Sequence, residues 1–210
     1  MNIFLRWLFY NIIVRFVVLI VIGLNVRHAR LLPKQGPAII IANHNSHLDT
    51  LVLMTLLPNK LLAITHPVAA TDYFLKNKLL AWFATKIIGI IPIERNHKNR
   101  KSDLLEPCHQ ALNNSKIIIL FPEGTRGEPE QLSEFKSGIA HLAKAHPTVP
   151  IIPIFLHGLG KALPKGKKLI VPFFCDVFIG ESFTYLGDKE LTMQKITDVF
   201  TQLAIQCPII

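Results

Sequence analysis

Three short runs of unbroken apolar residues constrain this chain more than any other feature. Residues 38–42 read AIIIA, residues 116–121 read KIIILF and residues 149–155 read VPIIPIF. A strand with one wet face alternates apolar and polar residues. A run without alternation is buried on both faces, which requires helices on both sides of a sheet. The intervening segments supply them. Residues 48–57 read as a short apolar helix, 73–87 and 132–145 as longer helices, and 103–113 as a helix with Pro107 near its first turn. Residues 190–204 close the chain as a helix with an apolar stripe of Met193, Ile196, Phe200 and Leu203. Residues 61–65, 89–93 and 169–179 add strands. Pro153 interrupts its strand, and proline cannot donate to a ladder, so that strand is expected at an edge or a bulge. The expected fold is α/β, a mixed sheet covered by helices, forming one domain over residues 31–210.

Residues 1–30 read differently. From Ile3 to Val26 the chain is apolar except for Arg6, Asn11, Arg15 and Asn25. A spanning helix needs about 20 apolar residues, and a mid-span arginine costs roughly 2.5–3.5 kcal/mol on insertion scales. Arg6 is near enough to the start to snorkel. Asn11 and Arg15 share a helix face that can turn to protein or headgroups. The segment is expected to be a membrane anchor, spanning or lying in the interface. It lacks a small-residue cleavage site, as Asn25, Val26, Arg27 and His28 follow the apolar run. Arg27, Arg30 and Lys34 place the remaining domain on the cytoplasmic face of an inner membrane. The net charge of +9 asks for an anionic partner, and 50% hydrophobic residues favour lipid over nucleic acid. Cys108, Cys175 and Cys207 are widely spaced, without the pairing of a zinc or redox motif, and suit a reducing compartment.

Four polar constellations follow the strands. The first is Asn43-His44-Asn45-Ser46-His47-Leu48-Asp49. On one continuous helix His44 and Asp49 would lie about 140° apart. They meet if His44 sits in the turn before the helix and Asp49 in its first turn. The carboxylate then holds one imidazole nitrogen and leaves the other as a base. The same residues also fit a capping box from Ser46 to Asp49, and the segment alone supports both readings equally. A metal set of His44, His47 and Asp49 lacks further clustered ligands. The second constellation is the strand end Ile93-Glu94-Arg95, where an arginine fork suits phosphate. Lys98, Arg100 and Lys101 read as a solvated basic loop. The third, Phe121-Pro122-Glu123-Gly124-Thr125-Arg126-Gly127, puts a carboxylate, an arginine and two glycines in a turn after a buried strand. The fourth, residues 149–158, is an apolar strand that suits an acyl-chain wall or plain core. Lys161, Lys165, Lys167 and Lys168 form a basic surface open to headgroups or a carrier protein.

In this order the four blocks resemble the glycerolipid acyltransferase family, which includes bacterial 1-acyl-sn-glycerol-3-phosphate acyltransferases, plant glycerol-3-phosphate acyltransferases and tafazzins. The resemblance runs from Asn43 to about His157, and the His-x4-Asp and Phe-Pro-Glu-Gly-Thr-Arg blocks carry it. It implies that His44 is the general base and Asp49 its orienting partner. It also implies that Arg95, Glu123, Gly124, Thr125 and Arg126 hold the acceptor. The donor would be acyl-CoA or acyl-carrier protein, with no cofactor and no metal. The acceptor would be a lysophosphatidate-like lipid in the bilayer. Pro92 and Glu94 replace a common Phe and Asp, and Gly127 a frequent Ser. These departures fall in the acceptor region and leave open glycerol 3-phosphate or another lyso-lipid. A non-catalytic lipid-binding protein and a thioesterase are the other readings. The first leaves an intact His44–Asp49 pair unexplained, and the second leaves Arg95 unexplained.

Overall fold

This computed structural model describes residues 3–18, 22–74, 77–94, 103–128, 131–163 and 173–207. Its centre is a seven-stranded sheet. In chain order the strands are β1 (Leu24–Arg27), β2 (Ala38–Ala42), β3 (Thr65–Ala70), β4 (Ile91–Ile93), β5 (Ile117–Leu120), β6 (Ile151–His157) and β7 (Cys175–Ile179). In space they run β1-β7-β6-β2-β5-β3-β4. Neighbours are parallel except β6 and β7, which pair antiparallel. The sheet is mixed, as the sequence implies.

The isoleucine runs of β2 and β5 explain the centre. β-Branched side chains suit a pleated surface packed on both sides, and successive residues point to opposite faces. Ile40, Ile117 and Ile119 enter one core, while Ile39, Ile41 and Ile118 enter the other. The first core is closed by α2 (Asp49–Leu56) and by the amino-terminal helix, which starts as α1 (Ile3–Leu8) and widens into a π-helical turn at Phe9–Val14. The second is closed by α6 (Glu106–Asn113), α7 (Gly138–Ala145) and α9 (Lys189–Ile205). Of the expected stripe on α9, Ile196, Phe200 and Leu203 are buried and Met193 packs at the margin. Asp188 starts this helix by accepting from the N–H groups of Glu190 and Leu191 at 2.8 and 2.9 Å.

Several boundaries differ from expectation. The helix expected over 73–87 is broken into α4 (Thr71–Phe74), α5 (Lys78–Phe83) and a π-helical turn at Ala84–Ile88. Asn77 restarts it, its side chain accepting from Leu79 N at 2.9 Å. The strand expected at 61–65 is shifted, because Asn59–Leu62 form a helical turn, α3, after Pro58 and β3 begins only at Thr65. The helix expected from residue 132 begins at Gly138, since the N–H of Lys136 is bonded to Pro122 O. A four-residue helix, α8 (Leu159–Ala162), follows β6. Pro153 does not mark an edge: β6 lies between β2 and β7. Its carbonyl accepts from Gly180 N at 2.8 Å, so the missing donor falls just past the end of β7.

The spanning form of the expected amino-terminal membrane anchor is corrected too. No helix among the described residues is long and apolar enough to cross a membrane. Residues of the segment are built into the domain: Tyr10, Val14, Val18 and Ile22 lie in the first core, and Leu24–Arg27 form edge strand β1. Arg6 does not snorkel. It is 2% exposed, and its Nη2 donates to Thr65 O at 2.6 Å. Gly89 makes room for it; with φ +81, its added Cβ would stand 2.7 Å from Arg6 Nη1. Burial lowers the pKa of this guanidinium.

Candidate active site

Ile41 of β2 pairs with Leu120 of β5, so the chain leaves both strands at the same edge. Polar residues gathered beyond the carboxyl ends of parallel strands are where such folds place their chemistry. Asn43 comes first and does not face substrate. It is 1% exposed, donates from Nδ2 to Leu156 O at 2.9 Å and accepts from Leu156 N at 2.7 Å. A carboxamide pushed into the core by a buried strand has to find two partners there, and it takes both from β6. This clamp fixes the position from which His44 starts.

His44 Nδ1 lies 2.8 Å from Asp49 Oδ2. The same oxygen accepts the N–H groups of Asn45 at 2.7 Å and Ser46 at 2.8 Å. Capping and imidazole support are therefore not rivals. The Ser46 N–H to Asp49 bond is the one that half of a capping box would make; α2 itself begins at Asp49 behind Leu48 without a side-chain cap, so the bond orders the loop, and the oxygen that makes it also holds the imidazole. Asp49 is fully buried, while the His44 side chain keeps 21% of its surface exposed. A carboxylate oxygen that already accepts two backbone N–H groups is positioned to accept from Nδ1 as well, which leaves Nε2 free to face the solvent-accessible side. Phe121 stacks on the imidazole, with ring centroids 4.1 Å apart and planes inclined by 20°.

The second loop is tied to the first through the main chain. His44 N–H donates to Glu123 Oε1 at 3.0 Å, and Gly127 N–H donates to His44 O at 2.9 Å. Glu123 is 2% exposed. Burial raises its pKa, opposed by the His44 N–H and by the Ser133 hydroxyl. This carboxylate is thus turned inward as a brace for the His44 loop. Gly124 takes φ +71 in the turn, and Thr125 is exposed at its tip. Arg126 Nη1 donates to His47 Nε2, which requires a neutral His47; burial first, then Arg126, lowers the pKa of that imidazole. Ser46 Oγ donates to Leu163 O at 3.0 Å, fastening the loop to the chain after α8.

His44, Asp49, Glu123, Gly124, Thr125 and Arg126 thus share one edge of the sheet. Arg95 lies outside the described residues, as do Lys98, Arg100, Lys101, Lys165, Lys167, Lys168 and residues 169–172 of an expected strand. Asn43 and Phe121 open two of the constellations without a role read from the sequence, and both contribute to the site. The signal for Asn43 was present, because an amide directly after five core residues needs an internal partner. No group of three or more metal-ligating side chains is gathered among the described residues.

The acyltransferase family model matches residues 23–157. Among curated proteins, the chain is 32% identical over 135 residues to the chloroplastic 1-acyl-sn-glycerol-3-phosphate acyltransferase LPAT1 of Arabidopsis thaliana, covering 64% of this chain and 36% of that one. It is 30% identical over 159 residues to the human 1-acyl-sn-glycerol-3-phosphate acyltransferase alpha, covering 74% and 53%. It is 31% identical over 140 residues to a probable 1-acyl-sn-glycerol-3-phosphate acyltransferase of Mycoplasma pneumoniae, covering 65% and 50%. The matches thus span about a third to a half of these relatives' lengths. Among solved structures, the acyltransferase PlsC from Thermotoga maritima shares the fold with a TM-score of 0.72 at 20% identity, over 90% of this chain and 74% of that one. With the family model covering residues 23–157 of 210, the chain belongs to the acyltransferase family.

Proposed function

We propose that the protein transfers a fatty acyl group from a thioester to the free hydroxyl of 1-acyl-sn-glycerol 3-phosphate, giving phosphatidic acid. The observation that carries this reading is the His44–Asp49 pair, 2.8 Å apart, with the carboxylate fully buried and the imidazole partly exposed. His44 Nε2 takes the hydroxyl proton as that oxygen attacks the thioester carbonyl. Asp49 holds the tautomer and stabilises the imidazolium, as in a serine-protease triad whose serine is replaced by substrate. The tetrahedral intermediate then expels the thiolate, which recovers the proton from His44. The new ester and the free thiol carrier leave. Arg126 and the turn at Gly124 and Thr125 face the acceptor, with Arg95 as a further cation for its phosphate. The donor is acyl-CoA or acyl-carrier protein. The acceptor class rests on the relatives named above, all called 1-acyl-sn-glycerol-3-phosphate acyltransferases.

The acceptor lives in a bilayer, and one surface suits the interface rather than a crossing. Phe4, Trp7, Ile12, Ile13 and Phe16 are exposed on the amino-terminal helix, and Leu79, Leu80 and Trp82 on α5. The two elements meet where Phe9 packs edge-on against Phe83, centroids 5.1 Å apart. Exposed aromatic and aliphatic residues on neighbouring helices are the composition of an interfacial patch. Arg27 and Arg30, both exposed, favour the anionic cytoplasmic leaflet.

The test is an assay of the purified protein with lysophosphatidate, glycerol 3-phosphate and a panel of other lyso-lipids, each with acyl-CoA and acyl-carrier protein. Phosphatidate formed from lysophosphatidate is the expected result. Acylation confined to another acceptor, or thioester hydrolysis alone, would overturn the assignment.

A further inference from the structure

We propose that Lys136 is a phosphate-binding residue for the acceptor; this rests on the acyl-transfer reading above. The residue lies outside all four sequence blocks, and the fold brings it back to them. Its N–H donates to Pro122 O at 2.9 Å, which pins it against the turn of Glu123 and Gly124. Its side chain crosses Gly124: a Cβ there would stand 2.9 Å from Lys136 Nζ and 3.2 Å from its Cδ and Cε. Two conditions therefore ask for glycine at 124, the left-handed backbone and the lysine stem laid over it. Lys136 is exposed, and its ammonium has no hydrogen-bond or ion-pair partner among the described residues.

Charge argues in the same direction. Two buried carboxylates, Asp49 and Glu123, stand behind the loops that receive the acceptor. A phosphate monoester brought to that edge meets repulsion from both unless cations offset them. Arg126 already directs a nitrogen to His47. The ammonium over Gly124 supplies a compact positive charge on a flexible stem, a form that suits phosphate. The reach is also consistent. In 1-acyl-sn-glycerol 3-phosphate the reacting hydroxyl and the phosphate ester sit on neighbouring carbons, so the phosphate stays close to His44. The turn carrying Gly124 is bonded to the His44 main chain at two points, at 3.0 and 2.9 Å. That ties the turn crossed by the lysine stem to the residue that carries the base.

The experiment is calorimetric binding of a soluble short-chain probe, 1-hexanoyl lysophosphatidate, to the full chain. Uncharged 1-hexanoyl glycerol is the control. A charged hydrogen bond is worth roughly ten- to hundred-fold in affinity. Lys136→Ala should weaken the phosphate probe by about that factor and leave the uncharged probe unchanged. Lys136→Arg should recover part of the loss. In turnover, Lys136→Ala should raise KM for lysophosphatidate and leave KM for the donor unchanged. The proposal is overturned if Lys136→Ala binds the phosphate probe as the wild type does. It is also overturned if both probes weaken together, the mark of a lysine that only braces the turn, or if the wild type shows no preference for the phosphate probe. The two readings fail separately. Lys136-dependent probe binding without phosphatidate synthesis defeats the acyl-transfer reading alone, while normal synthesis and binding by Lys136→Ala defeats this one alone.

Discussion

Among the described residues the fold carries two aspartate–histidine pairs, and they differ in nearly everything but composition. In one, Asp49 is fully buried, accepts two backbone N–H groups, and sits 2.8 Å from His44. In the other, at the start of α6, Asp103 has 54% of its side chain exposed and lies 3.1 Å from His109 Nε2. Asp103 also accepts from Leu105 N at 2.9 Å in the turn before its helix, and His109 Nδ1 meets His146 Nε2 at 2.9 Å. Both nitrogens of His109 are therefore engaged, whereas Asp49 engages only one nitrogen of His44. Water screens the exposed carboxylate, and such pairs are worth little. The buried one is preorganised by main chain and cannot be solvated. On the proposed mechanism, what distinguishes a base is the support around the pair and the nitrogen left over.

The sharpest way to break this comparison is to delete each imidazole. His44→Ala should lower the acyl-transfer rate by roughly 10²–10⁴-fold, with membrane binding retained. His109→Ala should stay within about two-fold of wild type. Equal effects would mean that the buried pair has no special role. The second contrast removes charge but keeps shape. Asp49→Asn still offers an oxygen to the Asn45 and Ser46 N–H groups, yet cannot stabilise an imidazolium; the corresponding change in serine-protease triads costs about 10⁴-fold. A large rate loss with unchanged melting temperature is expected, and Asp103→Asn should lose almost nothing. If Asp49→Asn loses rate only in proportion to lost folding, its role is structural.

The smallest effect concerns the brace behind His44. Glu123→Ala leaves a buried N–H without its acceptor, at a cost of about 1–3 kcal/mol. Glu123→Gln keeps an acceptor and removes the charge. Burial raises the folded pKa of Glu123 above its usual 4.5, so the folded state holds that proton more tightly than the unfolded chain. This contribution to stability is complete below pH 4.5 and is lost as pH rises through the folded value. Denaturant midpoints measured across that window should therefore fall more for wild type than for Glu123→Gln. Parallel curves would show that the carboxyl is not held against its charge.

The central strands were legible because isoleucine runs without alternation leave few other options, and β2, β5 and β6 appear close to where the pattern puts them. The site loops were legible for a related reason: charged and amide residues directly after such strands have no place in a core unless partnered. The remainder depended on distant contacts. β1 is hidden in an apolar stretch whose local pattern is that of a membrane helix, and only pairing with β7 makes it a strand. Residues 61–65 carry no period that separates a helical turn from a strand, and Pro58 decides it by opening α3. The place of Lys136 depends on a bond to Pro122 that no local pattern encodes.

The amino-terminal helix has two faces with opposite obligations. Tyr10, Val14 and Val18 are buried in the first core, while Phe4, Trp7, Ile12, Ile13 and Phe16 look outward. Edge strand β1 follows in the same stretch. Cutting the chain after residue 26 to obtain a more soluble form would therefore remove a sheet edge and a share of the core together with the outward apolar surface. The detachable tail of a modular enzyme is not available to the protein engineer here. A soluble version has to be reached by recolouring the outward face with polar residues, one side of one helix, while the inward side is left untouched.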